Sequence, residues 1–174
     1  MERREVPGDV VMTRIGQAAM LLHAGDREEA RKRFGIIWSE IGESGDALHR
    51  CTLAHYMAGT QDDPGDGLAW DLRALTAAEG LTGTTATHRD AEREDTAHED
   101  TEHRDVTAVR ALVPSLHLQL AGSYLKLQRF EAARIHLDRA WDAVAVLSDD
   151  GYVGGVRAAI GRMEQRMRAG GAGD

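Results

Sequence analysis

Apolar residues in this chain recur in steps of three and four, and that spacing limits the fold more than any other feature. Val11, Ile15, Ala18, Ala19 and Leu22 form the first such set. Ala30, Phe34, Ile37, Trp38 and Ile41 form the second, and Leu48, Leu53, Ala54 and Met57 the third. Leu68, Trp70, Leu72, Leu75 and Ala78 form the fourth. A helix turns once in 3.6 residues, so each set falls along one stripe of a helix. β-branched residues nowhere alternate with polar ones as a half-buried strand requires. Ala, Leu, Arg and Glu are abundant, aromatic residues make up only 5% and proline occurs three times. That composition favours helices, because Ala and straight side chains lose little entropy in them. The chain is therefore predicted to be all-α.

The stripes are separated by short runs that stop helices. Gly25 ends the first and Asp26 can cap the second, with Glu29 three residues on as in a capping box. Gly42 to Gly45 end the second helix and Asp46 opens the third. Gly59-Thr60-Gln61-Asp62-Asp63-Pro64-Gly65-Asp66 carries turn chemistry, and Gly80 is expected to end the fourth helix. Pro114 is expected at the first turn of a fresh helix, where its missing N–H costs nothing. That helix holds Leu116, Leu120, Ala121, Tyr124 and Leu127. A turn at Gln128-Arg129 leads to one with Ala133, Leu137, Ala140, Trp141, Val144 and Leu147. After Ser148-Asp149-Asp150-Gly151, the last helix carries Val153, Val156, Ile160, Met163 and Met167.

The stretch 82–105 differs in kind. From His88 to Asp105 there are eight acidic residues, three arginines and three histidines, with Ala91 and Ala97 the only apolar side chains. It repeats loosely, with His-Arg-Asp at 88 and 103 and Glu-Asp-Thr at 94 and 99. Such a segment cannot bury enough apolar area to offset its ordering entropy, and it reads as a solvated insertion or an exposed, frayed helix. The expected organisation is a tail at 1–9, helix pairs at about 10–43, 46–80 and 114–147, a closing helix at 152–168 and a tail at 169–174.

Leu120-Ala121-x-x-Tyr124 followed by Phe130-Glu131-Ala132-Ala133-x-x-x-Leu137-x-x-Ala140 resembles a tetratricopeptide repeat. In this resemblance Ala121, Ala133 and Ala140 are the close-contact positions. Tyr124, Phe130 and Leu137 fill the space between the helices. His117 stands where the family usually has Trp, and Gln128 where it has Gly. Ala18, Leu21, Gly25-Asp26, Ala30 and Phe34 fall in the same register, with Ile37 in place of the last Ala. The middle pair fits through Ala54, Met57, Leu68, Leu72 and Leu75 if its turn is about two residues longer. The resemblance covers about residues 10–147. It implies antiparallel helix pairs stacked as a short right-handed solenoid with a C-terminal capping helix. The richness in Ala, Gly and Arg resembles that of small uncharacterised repeat proteins of actinobacteria.

Charge excludes some partners. The formal net charge is −8, and no basic patch is visible to release counterions from nucleic acid or to hold an anionic membrane. Cys51 is the only cysteine, so no intrachain disulfide forms. The sequence shows neither an apolar leader nor a run of eighteen apolar residues, and a cytoplasmic protein is expected.

Few residues suggest chemistry. Cys51 and His55 stand four apart on one helix, a spacing open to a nucleophilic dyad or half a metal site, or to a buried thiol beside a surface histidine. His98 and His103 are five apart, about 140° around a helix, and cannot share a metal as a zinc-protease pair does. Gly151-Tyr152-Val153-Gly154-Gly155 follows no strand and lacks a phosphate-loop lysine. Met163 and Met167 extend the last apolar stripe, as in a capping helix or a dimer contact. No catalytic residue, metal site or cofactor is expected.

The resemblance implies a concave groove lined by the first helix of each pair. Its register places there Met12, Ile15, Ala19 and Leu22, then Leu48, Cys51 and His55, then Ser115, Leu118, Gln119, Gly122 and Lys126. So mostly apolar a groove suits a helix or an extended peptide. The expected function is a non-catalytic adaptor for a protein or peptide partner. The alternatives are a self-associating structural or regulatory protein, such as a homodimer, and an enzyme or metal protein working through Cys51 and His55.

Overall fold

The computed structural model describes residues 7–87, 96–148 and 150–171. Among these residues the regular structure is all helical, with no strand. The helices are α1 (Pro7–His23), α2 (Arg27–Ile41), α3 (Ala47–Thr60), α4 (Pro64–Thr87), α5 (Thr96–Lys126), α6 (Phe130–Ala145) and α7 (Gly151–Gly171). The chain divides into two units, Met1–Gly80 and Leu81–Asp174.

In the first unit α1 and α2 form a hairpin, and α3 packs on both of its helices. The core joins Ile15, Ala18 and Ala19 of α1 to Ala30, Phe34 and Ile37 of α2 and to Leu53 and Met57 of α3. Phe34 stacks on Tyr56, with ring centroids 5.6 Å apart. Trp70 of α4 meets Trp38 of α2 edge to face at 4.8 Å. In the second unit α5 and α6 form a hairpin, and α7 packs on both. Its core joins Ala121 to Ala133, Leu137, Ala140 and Val144 and to Val153, Val156 and Ile160 of α7. Met163 and Met167 lie half-buried against it. Tyr152 ties α7 to α5, donating to the Ala111 carbonyl at 3.0 Å while Ser115 lies 2.7 Å from its oxygen.

The two hairpins are built alike. Ala18, Gly25, Ala30 and Phe34 have their counterparts 103 residues further on, in Ala121, Gln128, Ala133 and Leu137. All four alanines are fully buried. The turns share one hydrogen-bond pattern. Asp26 N–H donates to the Leu21 carbonyl and Gly25 N–H to that of Leu22. Arg129 N–H donates to Tyr124 and Gln128 N–H to Leu125. These bonds make a Schellman motif, which requires a left-handed residue at its turn. Gly25 supplies it at φ 93° and Gln128 at φ 56°.

Helix starts coincide with their capping residues. The Asp26 side chain accepts from Glu29 N–H at 3.3 Å and Asp46 from Leu48 N–H at 2.9 Å. Asp63 accepts from Gly65 and Asp66, with Pro64 at the first position of α4. Arg31 closes the other end of α3, with Nε 2.9 Å from the Thr60 carbonyl and its guanidinium paired with Asp62.

The structure corrects several expectations. Pro114 lies inside α5, not at its start. A buried stripe of Val106, Val109, Leu116 and Leu120 crosses the proline in one helical phase, and this packing carries the helix through it. α4 does not stop at Gly80 but runs to Thr87. The acidic stretch is therefore helical at both ends, and residues 88–95 lie outside the described residues. Phe130 is half exposed, because it is the first residue of α6 and faces off the hairpin. Leu72 is also exposed, and the buried face of α4 runs through Ala74, Ala77 and Ala78.

The left-handed position costs a residue with a Cβ about 1–2 kcal/mol. Gln128→Gly is expected to stabilise the protein by about 1 kcal/mol in urea denaturation, and Gln128→Ala to leave it unchanged. Asp26→Ala is expected to lower stability by about 1 kcal/mol. Equal midpoints for Gln128→Gly and wild type would contradict the strain.

Candidate functional site

The residues expected to line a groove do not share one environment. Ile15 and Ala19 belong to the core of the first unit, and Met12 and Leu22 lie half-buried against it. Leu48 is half-buried on α3. In the second unit Leu118 packs on the core, Ser115 and Gln119 are half-buried and Lys126 is exposed. A Cβ on Gly122 would touch Met163 Cε at 3.5 Å, so α7 covers part of this face. A helix this small must use its apolar stripe to hold its own hairpin, and that stripe takes Ile15 and Ala19 out of reach of a partner.

Cys51 is fully buried. Burial pushes its thiol up to about 12 and pushes the His55 imidazole down to about 4. A nucleophilic dyad needs the reverse, a thiolate beside an imidazolium. Here both groups are held neutral, and a protonated thiol is a poor nucleophile and a poor metal ligand. Among the described residues no three His, Cys, Asp or Glu side chains converge as a metal site. His103 is exposed, and the side chain of His98 lies outside the described residues. Among the described residues no helix is long and apolar enough to cross a membrane.

A second pair of histidines was not anticipated. His117 of α5 and His136 of α6 are buried, with their Nδ1 atoms 3.0 Å apart. Tyr124 stacks on His136, with centroids 5.4 Å apart. One Nδ1 must donate and the other accept, so the contact is made by neutral rings or by rings that share one added proton. Burial is the main cause that lowers both imidazoles, His117 to about 4, and the nearby Arg139 charge adds to it. The signal in the sequence is their placement, since the two sit at similar distances before and after the Gln128 turn, as facing residues of a hairpin do.

Two of the open clefts each lie within a single unit. One, of about 550 Å³, runs between α6 and α7 and is lined by Phe130, Arg134, Leu137, Asp138, Glu164, Met167 and Arg168. The other, of about 390 Å³, lies among α2, α3 and α4 beside Trp38, Arg50 and Arg73. The Arg73 guanidinium rests over the Trp70 ring at 4.6 Å. Neither cleft pairs a nucleophile with a base, and both present aromatic or aliphatic floors with charged rims.

The histidines set a pH dependence. His55, His117 and His136 have folded values below their unfolded value of about 6.5. Below that value the unfolded chain takes up protons that the folded chain refuses, at His55 and His117 until about pH 4. Stability is therefore fully present above about pH 6.5 and falls as pH drops from 6.5 toward 4. Thermal melts are expected to show a lower Tm at pH 5 than at pH 7, and His117→Gln is expected to reduce that difference. A Tm that is flat across this range would contradict the neutral burial. Asp62, Glu29 and Glu40, lowered chiefly by hydrogen bonds from Arg31, Arg33 and Arg14, act only below about pH 4.5. Comparison with protein-family models, with curated proteins and with solved structures finds no match to this chain.

Proposed function

We propose that this chain is a tetratricopeptide-type repeat module that serves as a non-catalytic adaptor, holding a protein segment against the first helices of its pairs. The observation that carries this reading is the recurrence of one hairpin at a distance of 103 residues, with buried alanines, turn bonds and third-helix packing repeated together. With α1–α2 and α5–α6 as first and third pairs, that distance is two periods of about 34 residues with a further stretch of about 35 residues inserted before the third pair. In this reading α1, α3 and α5 are first helices, α2, α4 and α6 are second helices, and α7 caps the array. Repeat units of this kind stack into a right-handed solenoid and present an extended surface for recognition.

The surface narrows once the core residues are set aside. Ile15, Ala19 and Cys51 hold the fold, and contact falls to Met12, Leu22, Leu48, Ser115, Leu118 and Lys126. The mixture of half-buried aliphatic groups and one exposed lysine suits an amphipathic helix or an extended peptide.

Leu48→Glu, Leu118→Glu and Lys126→Glu test the assignment in capture of a partner from the native host. Each variant is first confirmed folded by circular dichroism, with Arg166→Glu, exposed on α7, as the control. Loss of about tenfold in partner affinity is expected for the three groove variants and none for the control. Undiminished capture by all three folded variants would remove the groove from the proposal.

A further inference from the structure

The face of α6 that looks away from its hairpin has a counterpart in the first unit, and there it is covered. Trp38 and Trp141 stand 103 residues apart, the same distance that relates Ala30 to Ala133, and so do Arg31 and Arg134. In the first unit Trp38 receives the Trp70 ring of α4. Arg31 receives Asp62 and the Thr60 carbonyl from the chain that leads into α4. In the second unit α7 does not turn where α3 does but runs on to Gly171. Trp141 is left 36% exposed, its indole N–H donating to Glu164 at 2.8 Å. Among the described residues Arg134 meets no carboxylate within ion-pair reach. Phe130, at 50% exposure, stands at the mouth of the 550 Å³ cleft beside it.

We infer that the α6–α7 face is a docking site for one amphipathic helix of a partner protein, one that presents an aromatic side chain to Trp141 and a carboxylate to Arg134. The occupant is specified by the first unit itself, since α4 and the turn before it bring those two groups to Trp38 and Arg31. Its apolar side would cover Phe130 and Met167, while the exposed Asp138 favours a basic residue along its rim. An aromatic anchor and an arginine–carboxylate pair are the contacts that dominate helix-in-groove recognition. The inference rests on the internal repeat and not on the groove formed by first helices, so the two fail separately.

The probe is a synthetic peptide of residues 61–80 of this chain, which carries Asp62 and Trp70, added to the full-length protein. The three tryptophans are labelled with 5-fluorotryptophan and the Trp141 resonance is assigned with Trp141→Phe. A saturable shift of the Trp141 resonance alone is expected. Arg134→Glu, at an exposed position, is expected to weaken it about tenfold. A peptide with Asp62→Lys is expected to lose as much on wild type and to regain binding on Arg134→Glu. Three outcomes overturn the inference. One is no shift at about 1 mM peptide. Another is a shift confined to Trp38 and Trp70, which means exchange with α4. The third is a chain already dimeric in sedimentation that Arg134→Glu makes monomeric, which gives the face to a second copy.

Discussion

Close approach of two helix backbones at buried alanines is the contact on which the remaining structure depends. Ala18 and Ala30 lie in the core that joins α1 to α2, Ala121 and Ala133 in the core that joins α5 to α6, and none of the four leaves surface exposed. Alanine surrenders no side-chain entropy on burial, and it lets helices approach at the short end of the usual 8–10 Å range. Once the backbones are that close, space remains only beside the contact. Phe34 fills it in one unit and Leu137 in the other. The third helix then packs on the ridge that these residues leave. An added methylene at any of the four positions would push the axes apart and strain the whole hairpin, an effect of about 1–3 kcal/mol in a well-packed core.

That contact is also why much of the fold was legible from the residues. Small residues at fixed spacing, large ones four positions on and a turn between them leave one packing solution. Gly25-Asp26 announced its Schellman turn and cap, and the same turn formed at Gln128 although the glycine is missing, because the flanking alanines demand it. What stayed hidden came from local signals that packing overrode. Pro114 carries a helix-start preference, yet the stripe from Val106 to Leu120 keeps one phase across it. Gly80 lies inside α4, which runs on to Thr87. Trp38 and Trp141 occupy equivalent positions, and that correspondence could be read once the two hairpins were aligned on Gly25 and Gln128.

The candidate site was less legible, for a physical reason. A register borrowed from a resemblance states which face of a helix is inward, and a hairpin of about fifteen residues per helix spends most of that face on itself. Ile15 and Ala19 are core for this reason. Cys51 and His55 show the same economy in chemical form. A thiol and an imidazole four residues apart invite a catalytic reading, but burial drives their proton affinities apart in the direction that keeps both uncharged. His117 and His136 are a further case, since their contact joins the hairpin while both rings stay neutral. Buried groups held neutral serve packing, whereas reactive pairs need a charge stabilised in the cavity.

The two units differ most where their third helices end. After Thr60 the chain turns, because Gln61 to Asp63 offer a tight turn and Asp63 caps the start of α4. α4 can then place Trp70 on Trp38. After Met163 there is no such turn. Glu164, Gln165 and Arg166 are strong helix formers, and α7 runs on to Gly171. The same α6 face that needs a returning helix is therefore left with a side-chain substitute, the Trp141–Glu164 hydrogen bond, in place of a packed ring. A carboxylate satisfies the indole N–H but does not bury the ring, and an exposed indole forgoes much of the roughly 25 cal/mol per Å² that burial supplies. Here the polar continuation of α7 covers that face in part, and the part it leaves uncovered holds Phe130, Arg134 and Trp141 together.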